Sequence, residues 1–330
     1  MARISVHGRR LYAGSVPWRA WGMNWGLGDH SLVLAYFDNP TSARFAVLTS
    51  ELHTAHLMGA NSMRIFLELA QVMQSPSTAR PRTLRALQTL LDAAAREHIY
   101  LDITGNLAWR PKLVPAWYDR LSEQSRWQVQ ANFWRAVAHA AASSPAVLCY
   151  ELTSEPIVGE TPDYYLGQFG GFRFVQSIGT RRGRSARDVA RAWTSELAAA
   201  VRSQDNRPVT IGLLPLLHDG FAPNNVADLL DMLVVHEYPQ SGKAASSVAA
   251  VKGFASLKKP VLLGETYDLC CDTSTERTFL LGANRYLVGT FEFFDGRNPN
   301  HITVKTAADA MYQQSLRQFI QLRTALLKPQ

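Results

Sequence analysis

The chain has 330 residues, 47% of them hydrophobic, with a formal net charge of +7 and a pI near 9.4. That is enough to bury a large core, and it exceeds the ~250 residues usual for a (β/α)8 barrel while staying within its range. No stretch approaches the ~20 apolar residues that span a bilayer, no apolar signal region opens the chain, and no nucleic-acid motif is present. The expectation is therefore a cytoplasmic protein without membrane or nucleic-acid partners, a processed secreted form being the alternative.

The positive excess comes mostly from scattered arginines, with one cluster at Arg181, Arg182 and Arg184. That cluster reads as a solvated loop rather than an anion site. Three cysteines, Cys149, Cys270 and Cys271, make an odd count with two adjacent, which is not a disulfide framework. Cys149 reads as a small core residue. No His or Asn constellation accompanies the adjacent pair to make a reactive thiol. No composition shift or repeat divides the chain, so one domain over residues 1–330 is expected.

In chain order, Ile4 to Tyr12 reads as a hairpin turning at Gly8-Arg9, part of an N-terminal element over about residues 3–19 that could plug the bottom of a barrel. Eight strand candidates follow: Ala20–Asn24, Ser62–Phe66, Tyr100–Thr104, Val147–Leu152, Val209–Leu213, Met232–His236, Val261–Gly264 and Leu287–Phe293. Amphipathic helices fit between them, with Leu84, Leu87, Leu91 and Ala94 at helical spacing, and likewise Trp127, Ala131, Trp134 and Ala138. The last helix is expected to carry Met311, Tyr312, Leu316, Phe319 and Ile320 on one face. Eight βα units imply a parallel sheet, and closing it gives a single-domain α/β (β/α)8 barrel. An open doubly wound sheet would want a Gly-rich phosphate turn after its first strand, which the run from Trp21 to Gly28 does not supply. One connection is oversized: about residues 157–184 read as a loop rich in Gly and aromatics, a candidate lid or binding wall.

Two short apolar runs end in carboxylates. Val147 to Leu152 leads to Glu155, and Val261 to Gly264 leads to Glu265. Continuous apolar runs of this length read as buried parallel strands, and in a barrel their C-terminal ends form the catalytic face. Two carboxyl groups converging there are the minimum equipment for breaking a glycosidic bond. The bland alternative, a pair of strand-end salt bridges, is disfavoured because Arg64 alone cannot serve both. Strand parity puts Glu151, Thr153 and Glu155 on one face, Arg64 with Ser62 and Phe66, His236 with Tyr238, and Glu265 with Val261 and Leu263.

These segments resemble the retaining glycoside hydrolases built on (β/α)8 barrels, most closely glycoside hydrolase family 5. The matching runs are Trp21-Gly22-Met23-Asn24, Gly59 to Arg64, Thr153-Ser154-Glu155-Pro156, His236-Glu237-Tyr238 and Gly264-Glu265. They occur in the family's order and near its spacing over nearly the whole chain. The resemblance implies a retaining β-glycosidase active on oligosaccharides or glycosides and needing no metal or other cofactor. Glu155 would be acid/base and Glu265 nucleophile, with Arg64 and Tyr238 keeping Glu265 charged and oriented. His236 would contact sugar hydroxyls or Glu155, and Glu151 would be a buried partner of Arg64. Asn24, Trp25 and Trp109 are further substrate-binding candidates, the tryptophans as stacking surfaces, whereas Trp117 reads as packing.

Two departures stand out. Ser154 replaces the family's Asn, which grips the sugar 2-hydroxyl, so either that contact is weaker or the sugar differs at carbon 2, a bulkier 2-acetamido group being the preferred reading. Phe293 replaces the family's Trp as platform. The alternatives to a hydrolase are a carbohydrate-binding protein on a decayed barrel and a transglycosylase using the same glutamates.

Overall fold

The structure, a computed structural model, describes residues 1–25, 43–107, 115–159, 168–169, 173–174, 176–215 and 219–328. Its centre is a closed barrel of eight parallel strands. They are β1 (Ala20–Trp25), β2 (Ser62–Glu68), β3 (Tyr100–Asn106), β4 (Val147–Ser154), β5 (Val209–Leu213), β6 (Leu233–His236), β7 (Val261–Thr266) and β8 (Gly289–Phe294). All eight expected strands form, within a few residues at their ends. Helices α1 (Ala43–Leu57), α2 (Pro81–Arg96), α3 (Glu123–Ala141), α4 (Ala186–Arg202), the short α5 (Pro223–Val226), α6 (Ala244–Ala255), α7 (Thr273–Ala283) and α8 (Ala307–Leu327) alternate with them.

The strands are apolar on both faces because both are covered. Met63, Ile65 and Leu67 of β2 join the core between strands and helices. Cys149, Val234, Leu262 and Phe291 point the other way and fill the lower barrel interior. The bottom is closed by the N-terminal hairpin, in which Ile4–His7 pairs with Arg10–Ala13 and a third strand, Val16–Trp18, follows. Gly8 at φ +60° supplies the left-handed residue that a two-residue hairpin turn needs. Ile4 and Leu11 of this sheet enter the lower core, as expected of a plug.

Two sequence expectations are corrected. Met311 is 46% exposed, so α8 buries Tyr312, Leu316 and Phe319 without it. The 157–184 segment is not all loop among its described residues: Pro156–Gly159 pairs in parallel with Gln176–Thr180, and Gln168–Phe169 pairs with Arg173–Phe174. Trp127 of α3 anchors it by donating its indole N–H to the Ile178 carbonyl at 2.9 Å, and Glu123 accepts from the Thr180 amide at 2.8 Å. Arg184 of the basic cluster also pairs with Glu123, at 2.6 Å.

A buried acidic group was not foreseen. Glu292 on β8 points outward beside Glu276 of α7, with Asp268 close by after β7. Burial, reinforced by the neighbouring carboxyls, pushes Glu292 well above the carboxylate range and Glu276 up to about 8; burial also raises Asp268. The folded state therefore holds protons that the unfolded chain releases. Stability from Glu276 is fully present below its ordinary pKa, about 4.5, and is lost as pH rises through about 8. Between pH 5 and 9 the wild type should lose a few kcal/mol, on the order of 1.4 kcal/mol per unit of pKa displacement. Glu276→Gln should flatten that slope in urea unfolding, and an unchanged slope would reject the assignment.

Candidate active site

Arg64 is fully buried inside the barrel, on the inward face of β2. Its guanidinium bridges Glu151 of β4 and Glu265 of β7. Its Nε donates to Thr104 Oγ1 at 2.9 Å, its Nη1 to Asn24 Oδ1 at 3.3 Å, and it lies 4.5 Å from the Phe66 ring centroid. Burial opposes its charge, but Glu151, then Glu265 and Asp102, hold its pKa above the ordinary arginine value. Asp102, fully buried on β3, is pushed well above the carboxylate range by burial and by Glu151.

Glu265 accepts from Arg64 at one oxygen and from the Tyr238 hydroxyl at the other, at 2.6 Å. Burial works against its charge, yet His236, Arg64 and Tyr238 together hold its pKa below the usual range. Tyr238 is shifted upward by burial and then by Glu265 and Glu155, so it stays protonated and keeps donating. Glu155 sits differently. His236 Nδ1 lies 3.0 Å from its Oε1 and 3.5 Å from Glu265 Oε2, between the two carboxyls. One oxygen of each glutamate and one His236 nitrogen lie within 4.8 Å of one another.

Three local features make this convergence possible. Glu155 follows the end of β4 with φ +51°, a left-handed conformation costing a non-glycine residue roughly 1–2 kcal/mol. Its amide is tied to the Gly212 carbonyl at 2.8 Å. A Cβ on Gly212 would collide with Glu151 and His236, and one on Gly264 with Val234, so both sites need the missing side chain. Pairing shifts register between β4 and β5, β6 and β7, and β7 and β8, near the strand ends that carry these residues. Such bulges re-aim side chains. They correct the parity expectation for β7: Val261 and Leu263 face the helices, whereas Glu265 turns into the barrel mouth.

The remaining candidates divide. Phe293 is half-buried and stacks on Tyr238, centroids 6.4 Å apart at 24°, with Tyr267 edge-on at 6.0 Å. Ser154, at the end of β4, is partly exposed beside Glu155. Asn24 is fully buried and spends its amide on the Gly264 carbonyl, at 2.8 Å, and on Arg64, so it supports the clamp rather than facing a sugar. Trp25 is corrected: it packs in the outer core with its Nε1 donating to Glu51 of α1 at 2.5 Å, because inward Asn24 forces its neighbour outward. Trp109 lies outside the described residues. Trp117 packs against the core and Tyr118. Cys271, pushed up to about 12 by burial and then Glu276, is a poor nucleophile. Asp102 and Thr104 had gone unnoticed, although two polar residues at a spacing of two in an apolar strand were a usable signal.

Glu155, His236 and Glu265 are close enough to share a metal ion. However, Arg64 and Tyr238 already occupy both Glu265 oxygens. A guanidinium at that distance repels a divalent cation. The arrangement suits a pair of carboxyls held in different environments.

No family model and no curated protein matches the sequence. Solved structures do match. A GH5_18 protein from Streptomyces cattleya, in complex with Manb1-4GlcNAc, matches at TM-score 0.63 and 17% identity over 83% of this chain and 70% of that one. The exo-beta-1,4-mannosidase Op5Man5 from Opitutaceae bacterium strain TAV5 matches at TM-score 0.71 and 15% identity, over 99% of this chain but 63% of that one. A beta-mannanase from the blue mussel Mytilus edulis matches at 0.64 and 15%, over 98% and 96%. At such identities the likeness is one of fold, the (β/α)8 barrel.

Arg64→Met would leave two buried carboxyls without their cation. Breaking a buried pair in this way costs about 3–5 kcal/mol, so the denaturation midpoint should drop accordingly. Adding Glu151→Gln should restore part of the loss. Wild-type stability in the single variant would show that the clamp is not under tension from its charges.

Proposed function

We propose that the protein is a retaining glycoside hydrolase that cleaves a β-glycosidic bond by double displacement. The observation that carries this reading is the approach of Glu155 and Glu265, one oxygen of each lying within 4.8 Å of one oxygen of the other. Retaining pairs stand about 5–5.5 Å apart, whereas inverting pairs need roughly 6.5–9.5 Å to admit a water.

Each carboxyl has surroundings that fit one role. Glu265, held low by His236, Arg64 and Tyr238 against the effect of burial, attacks the anomeric carbon as a carboxylate. Glu155, beside His236, gives its proton to the departing glycosidic oxygen. The product of this step is a glycosyl ester on Glu265. Glu155, now a carboxylate, takes a proton from water as the water oxygen attacks the same carbon, which frees Glu265 and returns the proton to Glu155. Phe293, backed by Tyr238 and Tyr267, supplies an apolar face for the sugar.

Glu265→Ala should abolish hydrolysis of aryl β-glycosides, and azide should restore turnover with an α-glycosyl azide as product. Glu155→Ala should slow poor leaving groups far more than activated ones and yield a β-azide, because only the acid assists departure. Equal damage on all leaving groups would remove Glu155 from the acid role. The same rescue separates a hydrolase from a decayed binding protein, which would turn over nothing. Product analysis with added sugar acceptors separates hydrolysis from glycosyl transfer.

Ser154 addresses the substrate. Mannose-linked names stand beside neighbours complexed with Manb1-4GlcNAc and GlcNAc, so residue 154 is where a plain 2-hydroxyl and the bulkier 2-acetamido group preferred from sequence are told apart; with a plain 2-hydroxyl the short serine only forgoes a contact that an Asn would make. On β-mannosides and β-glucosides, Ser154→Asn should then leave kcat/KM unchanged or raise it. A fall of tenfold or more, about 1.4 kcal/mol, paired with wild-type cleavage of 2-acetamido glycosides, would return the assignment to a bulky 2-substituent.

A further inference from the structure

The opposite end of the barrel carries a second pocket, of about 660 Å³, bounded by the N-terminal hairpin sheet, the starts of several barrel strands and the ends of α6 and α8. Five cations line it: Arg9 and Arg10 from the hairpin, Arg19 before β1, Lys259 before β7 and Arg285 before β8. No acidic residue lines it, and none of the five forms an ion pair among the described residues. Elsewhere on the surface, arginines such as Arg184, Arg191, Arg202 and Arg297 each have a carboxylate partner.

Two of the five are fixed by neutral acceptors. Arg19 donates to the carbonyls of Leu287 at 2.7 Å, Leu326 at 3.2 Å and Asn284 at 3.2 Å, and to Asn284 Oδ1 at 2.6 Å. Lys259 Nζ donates to the Leu230 carbonyl at 2.7 Å. These bonds hold the charges in place without neutralising them. Arg9, Arg10 and Arg285 are exposed, and Arg285 lies 5.6 Å from the ring centroid of Tyr286, a lining residue. Trp18, edge-on to Tyr100 at 5.1 Å, forms another apolar wall. A concave site lined by one sign of charge and walled by apolar rings focuses its field on whatever enters. The volume is that of a small-molecule site.

We propose that this pocket binds a multivalent oxyanion, several closely spaced phosphate, carboxylate or sulfate groups on one small molecule or short acidic glycan. The exposed guanidinium groups of Arg9, Arg10 and Arg285 make the direct contacts, and Arg19 and Lys259 provide the fixed field beneath them. Guanidinium forks suit such oxygens because they bind them two at a time. The site lies at the far end of the barrel from Glu155 and Glu265 and is independent of the hydrolase reading.

The test is calorimetric titration of the full chain, at about 50 mM salt, with inorganic tripolyphosphate in one arm and a galacturonic acid trimer in the other. Saturable one-to-one binding of either probe is expected, weakened at least tenfold in Arg9→Ala/Arg10→Ala/Arg285→Ala. The arm that binds more tightly identifies the source of the oxyanion. A control, Arg82→Ala/Arg85→Ala/Arg96→Ala on the exposed side of α2, removes the same charge elsewhere and should leave affinity within threefold of wild type. Both triple variants should keep the wild-type unfolding midpoint within a few degrees. The proposal is overturned if neither probe binds, if the pocket variant binds as wild type does, or if the control weakens binding equally, which would reduce the effect to net charge.

Discussion

One buried cation organises the candidate site. Arg64 lies where water cannot reach it, and an unpaired charge there would be prohibitively costly. It must be paired, and the pairs it takes are Glu151 from below and Glu265 at the barrel mouth. That requirement ties together β2, β4 and β7, strands far apart in sequence. It explains why Asn24 and Thr104 are turned inward, since each fills a hydrogen-bonding position on or beside the guanidinium. It also sets the surroundings of Asp102, next in line, which burial and then the adjacent Glu151 push well above the carboxylate range.

The barrel interior accordingly changes character along its axis. At the N-terminal end Val234, Leu262, Phe291 and the hairpin residues Ile4 and Leu11 make an apolar plug. At the C-terminal end β2, β4, β6 and β7 present Arg64, Glu151, His236 and Glu265. The lower layer resists collapse and excludes water, so the charges above it interact through a poor dielectric. Besides one register shift low between β3 and β4, irregularity lies at the upper end: the shifts on β4–β8, the bare backbone of Gly212 and Gly264, and the left-handed Glu155. Each trades some local stability for the direction of a functional side chain.

The two glutamates have similar intrinsic chemistry, and their surroundings separate them. Glu265 is fed by a guanidinium and a hydroxyl, both of which stabilise negative charge. The His236 ring lies between the two, 3.0 Å from Glu155 and 3.5 Å from Glu265, while Glu155 has neither the guanidinium nor the Tyr238 hydroxyl bond that Glu265 accepts. The outward acid group of Glu276, Glu292 and Asp268 is the contrary case in the same molecule: carboxyls buried together, with no cation paired to them among the described residues, are pushed upward instead of being held low.

Much of this was legible in the sequence. Apolar runs, helical spacings and a Gly-Arg turn suffice to place eight strands, their helices and the plugging hairpin, because burial on both faces of a parallel sheet imposes a pattern that composition records directly. Glu155, Glu265, Arg64, His236 and Tyr238 could be picked out since each ends or interrupts an apolar strand. Strand parity was enough for Arg64 on β2 and His236 on β6, but not beyond Glu151 on β4, where a register shift against β5 and the left-handed Glu155 intervene, nor on β7, where pairing with neighbouring strands inserts an extra residue. Trp25 looked like a loop-top ring, yet its direction depended on Asn24 being claimed by Arg64 forty residues away. The cations at the bottom of the barrel looked scattered along the chain; only closure of the barrel gathers Arg9, Arg10, Arg19, Lys259 and Arg285 around one pocket. Sequence determines which residues must be buried and with what period. Which buried groups meet across the barrel, and so which charges are paired, shared or left without a partner, is decided by distances that exist only after the sheet has closed.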